Sequence, residues 1–447
     1  MQRMDVIVSA FALSLAVAAC ASPPSTVPAP SEASPGWREP AGTAATSTNE
    51  RIVYVFKGNG RGSHPFGTLT SDGHGAFYGT TVDGGAVCGQ FVCGTIVKLT
   101  PRHGRYAETV LYRFRNTGDG YSANAGLIVD ATGSIYGTSP CCYYGQVGDG
   151  VLFKLSPAKG HYRFTTLFAF SGLGPFPNGG LIVDNTGTFF GTAYQGGSSP
   201  ADGAVFALAP SGSGYVESTI YSFKGGSDGA NPAAGLTASK SGTLFGTTAF
   251  GGATTGSCQS SGCGVVFELT PAGSSYTESV LYRFQGGSDG NEAFASLVSD
   301  ARGDLFGTTQ YGGGAPSCPD GCGTVFELHR SKKAYSERVL YNFSGTGDYP
   351  TDPVLLGRAG TLYGSTPTGG SANNGTVFKL TPSSGNYVES DLHLFHGPPN
   401  DGETPNALTA GPNGSLVGTT YYGGSGPCGN DLGCGAAFLL RGAAPRW

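Results

Sequence analysis

Cysteine is the side chain here whose spacing most constrains its chemistry. Four pairs lie four to six positions apart: Cys88/Cys93, Cys258/Cys263, Cys318/Cys322 and Cys428/Cys434. A fifth pair, Cys141 and Cys142, is adjacent in SPCCYYG. Two thiols so spaced serve either as metal ligands or as a disulfide. A structural zinc site needs four ligands. Each stretch offers only two, and none has a neighbouring histidine pattern. A disulfide closing so short a loop stabilises by about 2 kcal/mol in the chain-entropy description. Local bridges are therefore the expectation for the four spaced pairs. Adjacent cysteines bridge only through a strained eight-membered ring or reach neighbouring loops, and both pairings stay open for Cys141 and Cys142.

Oxygen ligands come next. Asp119, Asp228, Asp289 and Asp401 stand in NTGDGYSA, GGSDGANP, GGSDGNEA and PPNDGETP. Calcium takes such oxygens, but the spacing matches no EF-hand loop and Asp-Gly is a turn pair. The expectation is no cofactor and no metal, with calcium the one candidate ion. Asp72, Asp130, Asp184 and Asp300 each open a tight turn and read as turn caps. Glu108, Glu217, Glu278, Glu337 and Glu389 recur in one strand type, where charge would guard an exposed sheet edge. The sequence carries no Ser-His-Asp motif, no H-E-x-x-H and no phosphate loop.

The elements that position these residues repeat. An apolar residue, a glycine and a hydroxyl recur as FYGTT, IYGTS, FFGTA, LFGTT, LFGTT, LYGST and LVGTT. Their glycines are Gly79, Gly137, Gly191, Gly246, Gly307, Gly364 and Gly418, 54 to 61 residues apart. Each copy holds four short apolar stretches, several alternating with period two and separated by turn residues. Four strands in each of seven copies predict an all-β, seven-bladed β-propeller, because a lone blade cannot bury both faces. The hydroxyls after the frame glycines read as bonds between blades rather than as a site on the axis.

Chain order predicts how the ring closes. The repeats begin on a fourth-strand type, IVYVF, and end on a third-strand type, GAAFLL. Residues 51–56 are thus expected to be the outermost strand of the seventh blade. The loops between second and third strands then share a face with the blade-to-blade connections. Long loops carry cysteine pairs, whereas the short ones after Gly197 and Gly370 do not. Tyr143, Tyr144, Tyr311, Tyr421 and Tyr422 lie close to these loops. With the four aspartates they are the candidate binding residues; burial between blades is the competing reading for the tyrosines.

Composition agrees with a turn-rich β protein: of 447 residues 77 are glycine, 11% are aromatic and only 12% are charged. Net charge is −5 with no basic run, which argues against a nucleic-acid partner. Residues 6–18 form an apolar run suited to a signal-peptide core. The run leads to Val17-Ala18-Ala19-Cys20, which resembles a bacterial lipobox. Residues 1–20 are expected to be a lipoprotein-type signal with Cys20 as the lipidated residue; plain secretion is the alternative. With Cys20 set aside, ten cysteines remain of the eleven, an even number that suits an exported protein. Residues 21–50 read as a Pro/Ser/Ala/Thr-rich tether, 51–440 as the propeller and 441–447 as a short tail.

The frames GVVFELTPAGSSYTESVLYRFQGGSDG and GTVFELHRSKKAYSERVLYNFSGTGDY, together with the Gly-hydroxyl stretch, resemble the bacterial GloVer tandem-repeat proteins, also described as choice-of-anchor proteins. The resemblance spans residues 51–440. It implies an exported propeller and brings no catalytic residues. The expected function is a monomeric, lipid-anchored binding or scaffold module of the cell envelope, with a glycan or protein ligand on one face. A polysaccharide hydrolase or lyase with a site at the axis mouth, and a purely architectural protein, are the alternatives.

Overall fold

The Gly-hydroxyl stretch is the second strand of a four-stranded antiparallel sheet in every copy. The computed structural model describes residues 49–442, except 89–90, 124, 141–149, 171–178, 200, 213, 254–257, 259–260, 274, 316, 333, 346, 427 and 429–431. In the fourth blade the strands are Thr237–Ala238, Leu244–Thr248, Val265–Ala272 and Ser275–Arg283. The other blades repeat this order, and seven such sheets make the propeller. Among the described residues the only helical segments are three short 3-10 turns.

Ring closure follows the expectation. Asn49–Val55 pairs antiparallel with Ala436–Arg441 and supplies the outermost strand of the seventh blade. Phe56 follows it, buried against Val97 and Leu99 of the first blade.

One pair of positions explains the repeat. Except in the first blade, where Gly79 pairs with Val97, the frame glycine lies opposite the third-strand phenylalanine: Gly246 pairs with Phe267 and Gly307 with Phe326. A Cβ on Gly246 would sit 2.5 Å from Phe267 Cζ. The ring therefore lies over the glycine. At every junction but the seventh-to-first, the phenylalanine following a fourth strand then packs edge-on against the next blade's covered ring. Phe223–Phe267, Phe284–Phe326 and Phe343–Phe378 each have centroids 5.1 Å apart and near-perpendicular planes. Such aromatic pairs add about 0.5–1.5 kcal/mol beyond burial.

A bulge gives the fourth strand two working faces. Val266 pairs with Tyr282 but Phe267 with Val280, so Leu281 is the extra residue. Without it, Glu278 and Tyr282 would share a face. With it, Glu278 turns to the preceding blade, while Tyr282 and Phe284 turn to the following one. The same shift occurs in the other blades.

The frame hydroxyls tie the inner strands together. Thr192 donates to Ala234 O at 2.8 Å, Thr247 to Ala295 O at 3.2 Å, and Ser365 to Asn406 O at 3.0 Å, each in the next blade. Thr80 instead bonds within its own blade, to Phe66 O. Asp130, Asp184 and Asp300 cap the first turn, each accepting two backbone N–H groups.

Candidate functional site

All four spaced cysteine pairs are disulfides: Cys88–Cys93, Cys258–Cys263, Cys318–Cys322 and Cys428–Cys434. They share the face of the blade-to-blade connections. The carbonyls of Cys263, Cys322 and Cys434 accept backbone N–H groups from Glu292, Tyr349 and His64, at 3.0, 2.7 and 2.9 Å. Asp202 and Asn374 do the same for Asn231 and Thr404 in the blades without a bridge. Each of these five donors lies at the start of an innermost strand or in the stretch leading to it, and is left-handed, with φ between 54° and 60°. A non-glycine residue in that region costs about 1–3 kcal/mol and persists where its surroundings hold it. Here the bracing loop holds it, beside the innermost strands that line the mouth of the axis; the Asn231 side chain bonds back to that loop at Tyr194 O and Ala201 O.

Two arcs of side chains result. One lies at the seam of blades seven and one. His64 stacks on Tyr421 at 4.9 Å and 25°, meets Tyr422 at 5.5 Å, and lies 3.2 Å from Asp83. Burial and the charges of Glu403 and Asp83 push the Tyr422 hydroxyl pKa up. The second arc spans blades three to six. Tyr311 and Tyr349 meet edge-to-face at 5.5 Å. Burial, with the Asp320 charge adding, pushes the Glu292 carboxyl up to about 7. Burial followed by Glu292 pushes Tyr311 up to about 12, and the same two causes raise Tyr194.

The sequence candidates divide accordingly. Tyr311 and Tyr422 are half-buried at the mouth, whereas Tyr421 is buried beneath His64. Tyr143, Tyr144, Cys141, Cys142 and Cys20 lie outside the described residues. The four aspartates stand away from the mouth, in the outer grooves between blades. Asp119 accepts from the Tyr112 hydroxyl at 2.7 Å and from two backbone amides. Asp228 accepts from the Tyr221 hydroxyl at 2.5 Å and from Lys224 N. Asp289 holds Gln285 N, and Asp401 holds His396 N and Gly402 N and meets His393.

The edge-guard reading of the glutamates is corrected. Glu108, Glu217, Glu278, Glu337 and Glu389 are half-buried against the preceding blade, not aligned along an open edge. The Tyr54 hydroxyl donates to Glu108 at 3.0 Å. Burial pushes the Glu108, Glu278, Glu337 and Glu389 carboxyls up to about 7. The bulge turned them inward, and period-two reading carries no sign of a bulge.

Sequence reading also missed His64 and Glu292, because the position holds a different residue type in each blade. Their signal was a bulky residue following a Gly-rich connection. It missed a charged cleft of about 490 Å³ on the opposite face, between blades five and six, lined by Arg302, Glu327 and Arg338. Those charges satisfy one another: Arg338 meets Glu327 at 2.6 Å and Arg302 meets buried Asp304 at 3.2 Å.

Fold and rim together define an extracytoplasmic seven-bladed β-propeller whose mouth is braced by disulfide loops, since such bridges persist in oxidising compartments. The chain belongs to the Gloeobacter/Verrucomicrobia repeat family, whose model matches residues 41–259 and 241–431. No curated protein is similar to it in sequence. Among solved structures it is similar to a putative oxidoreductase (glucose dehydrogenase) of Thermus thermophilus, at 14% identity over 88% of this chain and 100% of that one, TM-score 0.42. A puromycin-hydrolyzing peptidase of Mycobacterium tuberculosis is similar at 14% identity over 80% and 48%, TM-score 0.46. A Lactobacillus plantarum protein is similar at 15% identity over 73% and 84%, TM-score 0.46. These similarities carry no activity over to this chain. No described helix is long and apolar enough to cross a membrane.

Proposed function

We propose that this protein is a lipid-anchored binding module of the cell envelope, and that its mouth takes a carbohydrate. The observation that carries this is the Tyr311–Tyr349 pair beside Glu292, half-buried and held by braced, left-handed backbone. Aromatic faces with polar tips pack against the apolar faces of sugar rings, while carboxyls accept from sugar hydroxyls. Bracing reduces the ordering entropy lost on binding. The anchor at Cys20 rests on the lipobox alone. A glycan array followed by calorimetry is the test. Tyr311→Ala and Tyr349→Ala should each weaken a confirmed glycan at least tenfold with an unchanged melting curve. Equal affinity in both variants would remove the mouth from consideration.

One observation favours a second reading, a hydrolase. A carboxyl with a pKa of about 7, as at Glu292, holds its proton near neutral pH, as a general acid requires. Turnover of a polysaccharide panel that is lost in Glu292→Gln would support it. Binding without turnover would leave the binding module.

A further inference from the structure

The outer groove between blades six and seven departs from the others. In the first, third and fourth blades the bulged strand presents a tyrosine to the connecting-loop aspartate, in Tyr112–Asp119, Tyr221–Asp228 and Tyr282–Asp289. Here the tyrosine position is His393, and the loop adds His396. Across the groove stands Glu50, from the strand that closes the ring. His393 Nε2 lies 3.2 Å from Asp401 Oδ2, and His396 Nδ1 lies 3.5 Å from the same oxygen. Ligand atoms of Glu50, His393 and Asp401 all fall within 4.8 Å of one another. One Glu50 oxygen is buried with no hydrogen-bond partner, as at the equivalent Glu108, Glu278 and Glu337.

We infer that Glu50, His393 and Asp401, joined by the exposed His396 swinging in as fourth ligand, form a binding site for one divalent transition ion of the zinc type, which clamps the closing strand to the sixth blade. A tetrahedral zinc with ligands about 2.0–2.1 Å away has ligand-to-ligand edges of about 3.3 Å. Both measured His–Asp separations match that edge. Glu50 brings a third ligand atom within 4.8 Å of the other two, and coordination gives its orphaned oxygen a partner. Two imidazoles and two carboxylates suit zinc; calcium prefers six to eight oxygens. The backbone amides of His396 and Gly402 hold Asp401 in place, at 2.9 and 2.7 Å. Phe395 supports the His393 ring edge-on at 4.6 Å. Such outer contacts orient the ligands. Glu50 comes from the start of the folded chain and the others from its sixth blade and the connection beyond, so the ion would add a tie on the sixth-blade side of the closing strand, whose other side packs on the first blade.

The test uses tag-free, full-length mature protein, stripped with chelator and titrated with zinc and with cobalt. The expected result is one zinc per chain at micromolar affinity or better, visible absorption of four-coordinate cobalt, and a higher melting temperature with zinc. Calcium in large excess should leave all three unchanged. His393→Tyr installs the residue that the first, third, fourth and fifth blades carry at this position, so the ring should fold and melt like the metal-free parent. It should lose the cobalt spectrum and at least a hundredfold in zinc affinity. Failure of the parent to bind zinc, or equal binding by His393→Tyr, would overturn the proposal, as would displacement by calcium.

Discussion

The Tyr54 hydroxyl donates to Glu108 Oε2 at 3.0 Å, joining the closing strand to the outermost strand of the first blade. Tyrosine and glutamate meet in this way because the bulge turns them to opposite faces of their strands. The arrangement makes stability depend on pH. Burial is the main cause holding the Glu108, Glu278, Glu337 and Glu389 carboxyls near 7, against an ordinary 4.5. A raised carboxyl contributes stability that is fully present below the unfolded value and lost as pH rises through the folded one. The melting temperature should therefore fall between pH 5 and pH 8. Glu337→Gln, neutral throughout, should flatten that slope. A melting temperature that climbs over the same range would contradict the burial of these groups.

Phe284 and Gly246 test the packing rule from both sides. Phe284→Ala removes a buried ring from the next blade's Phe326 and should cost about 3–5 kcal/mol. Gly246→Ala places a methyl 2.5 Å from Phe267 Cζ and should cost about 1–3 kcal/mol by overpacking. Denaturant melts read both; a neutral Gly246→Ala would mean that the ring has somewhere else to go.

Deleting residues 49–56 should open the ring. The seventh blade then lacks its outer strand, and Phe56, Tyr54 and Val53 leave the first blade's surface. We expect a large loss of stability and aggregation through the exposed edge of Ala436–Arg441. A synthetic peptide of residues 49–56 should restore part of the melting temperature in trans. A deletion variant that melts like the parent would show that the seam carries no strength.

Cys258 and Cys263 can be separated from the core. Their joint replacement by serine should lower stability by about 2 kcal/mol and leave the near-ultraviolet spectrum of the blades unchanged. Binding at the mouth should weaken more than stability does, because Cys263 O braces Glu292. Mass mapping of the exported parent should find no free thiol at either position.

Cys20→Ser should move the exported protein from the membrane fraction to the soluble one. A variant that still sediments with membranes, and a parent whose mature N-terminus carries no lipid, would count against the anchor.

Sequence order carried the blades, their number and the closing strand because each rests on periodic spacing: Gly246, Phe267 and Phe284 recur in every copy or nearly so. The four bridges were equally legible, since short spacing leaves cysteines few partners. The inward turn of Glu278 was not, because a single bulged leucine reverses a face without altering composition. His64 and Glu292 escaped because what they share is backbone geometry, while their side chains differ. Glu50 and His393 lie at opposite ends of the folded chain, and only closure of the ring makes them neighbours.

The pairing of Asn49 with Arg441 also fixes how the ring is presented. The closing strand runs from the short-turn face at Asn49 toward the disulfide-braced face at Phe56. Any support attached upstream of Asn49 therefore holds the ring from its short-turn side. The chain thus enters the ring on the face opposite the braced mouth.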